Sequence, residues 1–350
     1  MRAVHLMPTS ELARLLQLRG DLRIEFVDSN ALSGNALGDP ARRPLAVYLP
    51  PGYDPQGSTR YPVLYVLHGY SGDVAALVAS RPWELNVVQW IDRLIEEGAM
   101  RPAILAVVDG FTRLGGSQYM NSIHNGDYAT YVVRDVIGHI DATFRTLAAE
   151  GARAVLGKSS GGFGALHLVM TQPGYFSAFA SHSGDAYFPL SMLPLFPPAQ
   201  RTLEKFGGDI GAFVADFEAK SKRSEAEFAT MVFVASAAAY SPRAAEKFAL
   251  DLPFDPKSGE ILESVFARWL AADPVEMCVA KQAELARLRL RYVDCGRKDE
   301  YALDIGARIL VGRMREMGLA TRHEEFDDDH RNVGYRYAVS LPALTEVLEV

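Results

Sequence analysis

A serine, an aspartate and a histidine occur along this chain in the settings that nucleophilic catalysis requires. Ser159 lies in Ala154–Ala165, A-V-L-G-K-S-S-G-G-F-G-A, where a short apolar strand enters a glycine-flanked turn and then a helical pattern. This is G-x-S-x-G in its productive context. A sharp strand-to-helix turn lifts the serine oxygen clear of the sheet and sets it at a helix N-terminus, where negative charge is stabilised. Gly157 and Gly161 let neighbouring backbone crowd the bend. Ser160 is the rival hydroxyl, but only Ser159 has glycine at both flanking positions of the motif. The competing reading is a glycine-rich connection that only packs tightly.

A serine hydroxyl needs a base, and the base needs a carboxylate to hold it. In strand–helix folds that use this turn, the acid and then the histidine follow the serine, each at the end of a later strand. A strand over residues 288–294 ends in Cys295-Gly296-Arg297-Lys298-Asp299-Glu300, which makes Asp299 the candidate acid and Glu300 its neighbour and rival. Asp294 lies within the strand, and Asp304 falls in the following helix. A strand over residues 321–326 ends in Asp327-Asp328-Asp329-His330, which makes His330 the candidate base. His323 sits inside that strand and His182 precedes the acid loop, so both suit structural roles.

An oxyanion formed on attack needs backbone donors. One is the N–H of Ser160; the other is expected from His68-Gly69-Tyr70-Ser71-Gly72, with Tyr70 supplying the N–H and Gly69 permitting close approach. His68, at a strand end, is expected to make a structural hydrogen bond. Trp83, Tyr119 and Tyr128, with Trp90 and Phe111, follow this region and are candidates to line a substrate pocket, although aromatics at such positions more often pack a core. Arg81 and Arg113 are either contacts for an anionic substrate or surface charges. The acids Asp327, Asp328 and Asp329 point different ways along the chain, which suits a solvated turn better than a metal site; no metal or cofactor is expected.

The elements that position these groups are legible as patterns. Strands are expected at 22–27, 43–49, 61–68, 100–109, 152–156, 178–182, 288–295 and 321–326. The run M-R-P-A-I-L-A-V-V-D over 100–109 is continuously apolar, as in a strand buried on both faces. Helical periodicity appears over 84–97, 127–144, 163–171, 302–317 and from residue 332 onward. This alternation implies an α/β fold with a mostly parallel central sheet, helices on both faces and an antiparallel entry. Between 185 and 287 the rhythm breaks into proline- and phenylalanine-rich, then helical, segments. The expected organisation is therefore a core over 1–184 and 288–350, split by a helical insertion or lid over 185–287.

The chain has 350 residues, 49% of them apolar, enough for one large core. A formal net charge of −7 argues against nucleic acid and anionic membrane surfaces as partners. Two cysteines, Cys278 and Cys295, are too few for a disulfide framework. Charges at Glu11, Arg14, Arg19 and Asp21 interrupt any secretory leader pattern, and the expectation is a cytoplasmic protein with no membrane span. Oligomeric state cannot be read from the sequence.

Y-P-V-L-Y-V-L-H-G-Y-S-G, G-K-S-S-G-G-F-G-A-L, Y-V-D-C-G-R-K-D-E-Y and F-D-D-D-H together resemble the Putative esterase family. Its relatives include esterase D-type S-formylglutathione hydrolases, feruloyl and acetyl xylan esterases, enterochelin esterases and mycolyltransferases of the antigen 85 type. The resemblance implies an α/β-hydrolase fold, a Ser159, Asp299, His330 triad, and an oxyanion hole from Tyr70 and Ser160. It also implies a small-molecule ester as substrate. Acyl transfer to an alcohol and thioester hydrolysis would use the same groups, and a non-catalytic ligand-binding member of the fold is the remaining alternative.

Overall fold

A computed structural model describes residues 9–350; residues 1–8, the beginning of the stretch read for a leader, lie outside the described residues. The centre is an 8-stranded sheet. Its strands are β1 (Asp21–Asp28), β2 (Arg42–Leu49), β3 (Val63–Leu67), β4 (Ile104–Val108), β5 (Arg153–Lys158), β6 (Ala178–His182), β7 (Leu290–Gly296) and β8 (Arg322–Phe326). Their spatial order is β1-β2-β4-β3-β5-β6-β7-β8. β1 and β2 run antiparallel to their neighbours, and the strands from β4 to β8 pair in parallel. The antiparallel entry and the parallel body both follow the sequence pattern.

β3 reads V-L-Y-V-L and β4 reads I-L-A-V-V, and every residue of both is buried. Parallel strands need this composition because crossover helices cover both faces. One face packs Val63, Tyr65, Leu67, Ile104 and Val155 in a core that takes in the helices Ser160–Thr171 (α3) and Leu303–Glu316 (α5). The other packs Leu64, Val66, Leu105, Val107 and Leu156 against Val87–Glu96 (α1) and Tyr337–Val347 (α6). A reciprocal capping box starts α1: Asn86 Oδ1 accepts from the Gln89 N–H at 2.9 Å, and Gln89 Oε1 accepts from the Asn86 N–H at 3.1 Å. Such a cap contributes about 1 kcal/mol.

The helix expected over 127–144 is interrupted. Tyr131–Val136 is π-helical and leads into Ile137–Thr143 (α2). The wider turn buries Tyr131, Val132, Val133 and Val136 together, more than the single stripe of a regular helix would bury.

Between β6 and β7 the chain is helical, with segments at Phe196–Glu204, Ile210–Ala219, Glu225–Tyr240 (α4) and Glu263–Leu270. They pack an apolar cluster of Phe196, Phe213, Phe233, Phe254 and Trp269 that also takes in Phe163 of α3 and Leu114. Trp269 is fully buried, and its indole N–H donates to Ser241 Oγ at 2.8 Å. The last two helices of this stretch, Pro274–Ala280 and Gln282–Ala286, bury Val275, Cys278 and Leu285 in the main core instead. The core layer therefore resumes before residue 288.

Candidate active site

Ser159 follows β5 and precedes α3 with φ 57° and ψ −126°, a backbone conformation that costs a non-glycine residue on the order of 1–3 kcal/mol. Contacts on every side impose it. The Ser159 N–H donates to the His182 carbonyl at 2.9 Å. A Cβ on Gly161 would lie 2.1 Å from the Leu67 carbonyl oxygen, and one on Gly157 would lie 2.5 Å from the Gly161 backbone. Both glycines are therefore required by close approach of β3 to the turn.

His330 Nε2 lies 3.0 Å from Ser159 Oγ, and His330 Nδ1 lies 2.7 Å from Asp299 Oδ2. With Nδ1–H donating to the carboxylate, Nε2 is left to accept from the serine hydroxyl. Asp299 Oδ1 also accepts from the Tyr301 N–H at 3.0 Å. Burial alone would push the Asp299 carboxyl up, but its hydrogen bond and charge pairing with His330, with the Tyr301 N–H, hold it below the usual carboxylate range. Glu300, the rival acid, does a different job: its carboxylate accepts from the His330 backbone N–H at 3.0 Å. The Tyr301 ring stands edge-on to the imidazole at 5.0 Å between centroids.

The three acids before His330 brace its loop. Asp327 pairs with Lys298 at 3.0 Å, Asp328 accepts from Tyr335 OH at 3.1 Å, and Asp329 accepts from the Arg331 N–H at 2.6 Å.

The backbone N–H groups of Tyr70 and Ser160 have no acceptor among the described residues. A Cβ on Gly69 would lie 3.4 Å from the Ser159 Cβ, so the loop passes directly over the Ser159 turn. His68 fixes that loop: Nδ1–H donates to the Gly69 carbonyl at 2.9 Å while Nε2 accepts from the Gly110 N–H at 2.8 Å. Both ring nitrogens are occupied, in keeping with the structural role expected. Tyr70 OH donates to the Leu114 carbonyl at 2.7 Å, and its ring meets Phe228 of α4 edge-on at 5.5 Å. The helical segment thus reaches the His68–Gly72 loop.

The aromatic candidates need correction. Tyr119 and Tyr128 are almost wholly buried. Tyr119 fills the space left by Gly110 and Gly164, where an added Cβ would come within 2.5 Å of its ring, and its hydroxyl donates to the His68 carbonyl at 3.0 Å. Tyr128 OH donates to the Phe111 carbonyl at 3.1 Å. Neither offers a free face to a substrate, because each buried hydroxyl needs an internal partner and each ring fills core volume. Trp83 is the opposite case: it is fully exposed, on a positive-φ turn at 62°, and makes no hydrogen bond or ring contact among the described residues. Arg81 and Arg113 pair with Glu84 and Glu218.

Sequence reasoning missed Asp185, Gln118 and Tyr240. The Gln118 amide donates to Tyr240 OH at 2.9 Å, and the Asp185 carboxyl feels both the Gln118 amide and the His330 ring. The signal was present in S-H-S-G-D: strand β6 ends between the serine strand and the acid strand, so the residues after it must border the site.

A mostly parallel sheet in this order, with a serine turn after β5, an acid loop after β7 and a histidine loop after β8, defines the α/β-hydrolase fold. Over residues 35–339 the chain matches the family described as Putative esterase, and it belongs to that family. It is 33% identical over 141 residues to Esterase Rv1288 of Mycobacterium tuberculosis, a match covering 40% of this chain and 28% of that protein. It is 30% identical over 146 residues to an endo-1,4-beta-xylanase/feruloyl esterase of Xylanibacter ruminicola, covering 41% of this chain and 20% of that protein. The matches thus span less than a third of either relative. Among solved structures it resembles a ferulic acid esterase with a TM-score of 0.61 at 18% identity, over 95% of this chain and 100% of that one.

Proposed function

We propose that the protein hydrolyses carboxylic esters through an acyl-enzyme formed on Ser159. His330 Nε2 takes the proton of Ser159 as Oγ attacks the ester carbonyl carbon. Asp299 holds the imidazole in the needed tautomer and stabilises the imidazolium. The N–H groups of Tyr70 and Ser160 receive the oxyanion. Collapse of the tetrahedral intermediate breaks the carbonyl carbon–alkoxy oxygen bond, and His330 returns its proton to the departing alcohol. A water, deprotonated by His330, then attacks the acyl carbon, and the acid leaves with Ser159 restored. Every step is carried by the chain's own groups, ester and water.

The observation that carries this reading is the continuous hydrogen-bonded line from Asp299 through His330 to Ser159, at 2.7 and 3.0 Å. Family membership supports ester chemistry over other uses of the same line. The helical stretch between β6 and β7 is assigned the shaping of the substrate cleft, supported by its contacts at Tyr70 and Gln118. The test is kinetic. Ser159→Ala should lower kcat for p-nitrophenyl acetate by about a thousandfold or more while leaving the circular dichroism spectrum and Tm near those of the parent. Retained turnover in that variant would refute the assignment.

A further inference from the structure

Asp299 Oδ2, the oxygen that meets His330, has a second polar neighbour. The Cys295 sulfur lies 3.5 Å from it, and the Ser183 hydroxyl oxygen lies 3.4 Å from that sulfur. Ser183, Cys295 and Asp299 are all buried. An ionised carboxylate only accepts, so the one thiol hydrogen goes to Asp299 and the Ser183 hydroxyl hydrogen goes to the sulfur. Two donors, the Cys295 thiol and the His330 Nδ1–H, therefore meet on one oxygen. The Ser183 hydroxyl has no other hydrogen-bond partner among the described residues. Cys278 shows the ordinary alternative: its thiol donates to the Val275 carbonyl of its own helix at 3.3 Å.

Strand geometry holds this line of groups. β7 lies between β6 and β8, and Cys295 pairs with Glu325 of β8. Just past β6 the Ser183 N–H donates to the Asp294 carbonyl at 2.8 Å. Ser183 takes a left-handed backbone there, at φ 44°, which for a non-glycine residue costs energy that such contacts must offset. A Cβ on Gly296 would lie 2.3 Å from the Asp328 carbonyl oxygen, so the acid loop and the histidine loop touch directly after Cys295. The other charged groups near the pair come from several elements: Lys158 ending β5, Asp185 after β6, and Glu300 beside Asp299. Asp329 and Arg331 flank His330 in the chain, and Asp304 of α5 acts on Cys295.

We propose that Cys295 is a positioning residue of the triad, whose thiol, polarised by the Ser183 hydroxyl, holds Asp299 Oδ2 and moderates its pull on His330. This rests on the serine-hydrolase reading and adds two residues to it. A hydrogen bond donated to a carboxylate favours the charged form and lowers its basicity. Asp299 can then orient the imidazole without drawing a second proton onto it near neutral pH, which leaves Nε2 free to act as base. A thiol is a weak donor, so it trims the carboxylate without displacing the stronger Nδ1–H.

The test follows kcat/KM for p-nitrophenyl acetate against pH in the wild type, Cys295→Val, Cys295→Ala, Ser183→Ala and the double variant Cys295→Val/Ser183→Ala. Valine fills the space of the thiol without donating, so comparison with alanine separates packing from the hydrogen bond. Both Cys295 variants should raise the acid-side midpoint by about half a pH unit, because a more basic carboxylate lets His330 take up a proton earlier as pH falls. Ser183→Ala should raise it by less, and should add nothing in the double variant, since the hydroxyl acts only through the sulfur. A thiol that merely packs would change Tm or kcat and leave the midpoint in place. A midpoint unmoved or lowered in either Cys295 variant, or a Ser183→Ala shift that persists in the double variant, would overturn the proposal. Fluorophosphonate labelling of the wild type keeps the two failures apart: a labelled Ser159 with unmoved midpoints sinks only the Cys295 inference, and an unlabelled one sinks the reading beneath it.

Discussion

Asp299 and Glu300 are adjacent in sequence, yet one carboxylate contacts the imidazole Nδ1 at 2.7 Å and the other the backbone N–H of His330 at 3.0 Å. The difference separates tautomer control from loop positioning. Asp299→Asn should reduce kcat by roughly ten-thousandfold, because the amide can donate to Nδ1 and so favour the tautomer with no free Nε2 acceptor. Glu300→Gln keeps an oxygen acceptor for the His330 N–H and should lose no more than about tenfold. Steady-state rates on one p-nitrophenyl ester check both, and equal losses would show that the two roles are not distinct. At this scale the meeting of Ser159, Asp299 and His330 was readable, because each follows a strand and the fold fixes where strand ends meet. The aromatics were not. Tyr119 and Tyr128 come later in the chain than the His68–Gly72 loop, but glycines at 110 and 164 open internal volume that draws Tyr119 inward, and no spacing pattern reveals that.

At the scale of elements, wholly apolar runs such as I-L-A-V-V identified the central strands, since only strands covered on both faces tolerate them. The π-helical turn at Tyr131–Val136 escaped the reading because Tyr131, Val132, Val136 and Ile140 by themselves fit an α-helical stripe, and only the burial of Val133 beside them departs from it. The end of the helical stretch was equally hidden: Pro274–Ala280 is one more short helix after several, and its packing against α5 is what assigns it to the core. Asp185 was passed over for a related reason. It was placed at the start of an insertion, whereas its position one loop beyond β6 sets it between the serine and acid strands. Beneath that loop a second buried line runs from Ser340 through His182 to Asp294, at 2.9 and 2.7 Å, with Arg336 on the other carboxylate oxygen at 2.8 Å. The His182 carbonyl receives the Ser159 N–H, so this network anchors α6 and the Ser159 turn to the same sheet strands.

For the molecule as a whole, a buried imidazole couples stability to acidity. His167 in α3 stacks on Phe163 at 5.8 Å between centroids, and its Nδ1 has no hydrogen-bond partner among the described residues. Burial lowers its pKa from 6.5 to about 4. The unfolded chain therefore binds this proton first, so the contribution to stability is complete above about pH 6.5, declines as pH falls toward about 4, and is constant below. The loss is on the order of 3 kcal/mol. His167→Phe should flatten the fall in urea midpoint across that window relative to wild type, whereas parallel curves for the two proteins would place the acid sensitivity elsewhere.

The central claim is that one hydroxyl, made nucleophilic by His330, carries the acyl group. Reaction with a fluorophosphonate followed by peptide mass mapping tests it most directly. The expected result is a single adduct on the peptide containing Ser159 and Ser160, located at Ser159 by fragmentation, formed at least about a hundredfold more slowly in His330→Ala. An adduct on Ser160 or elsewhere, no adduct at all, or an undiminished rate in His330→Ala would contradict the account.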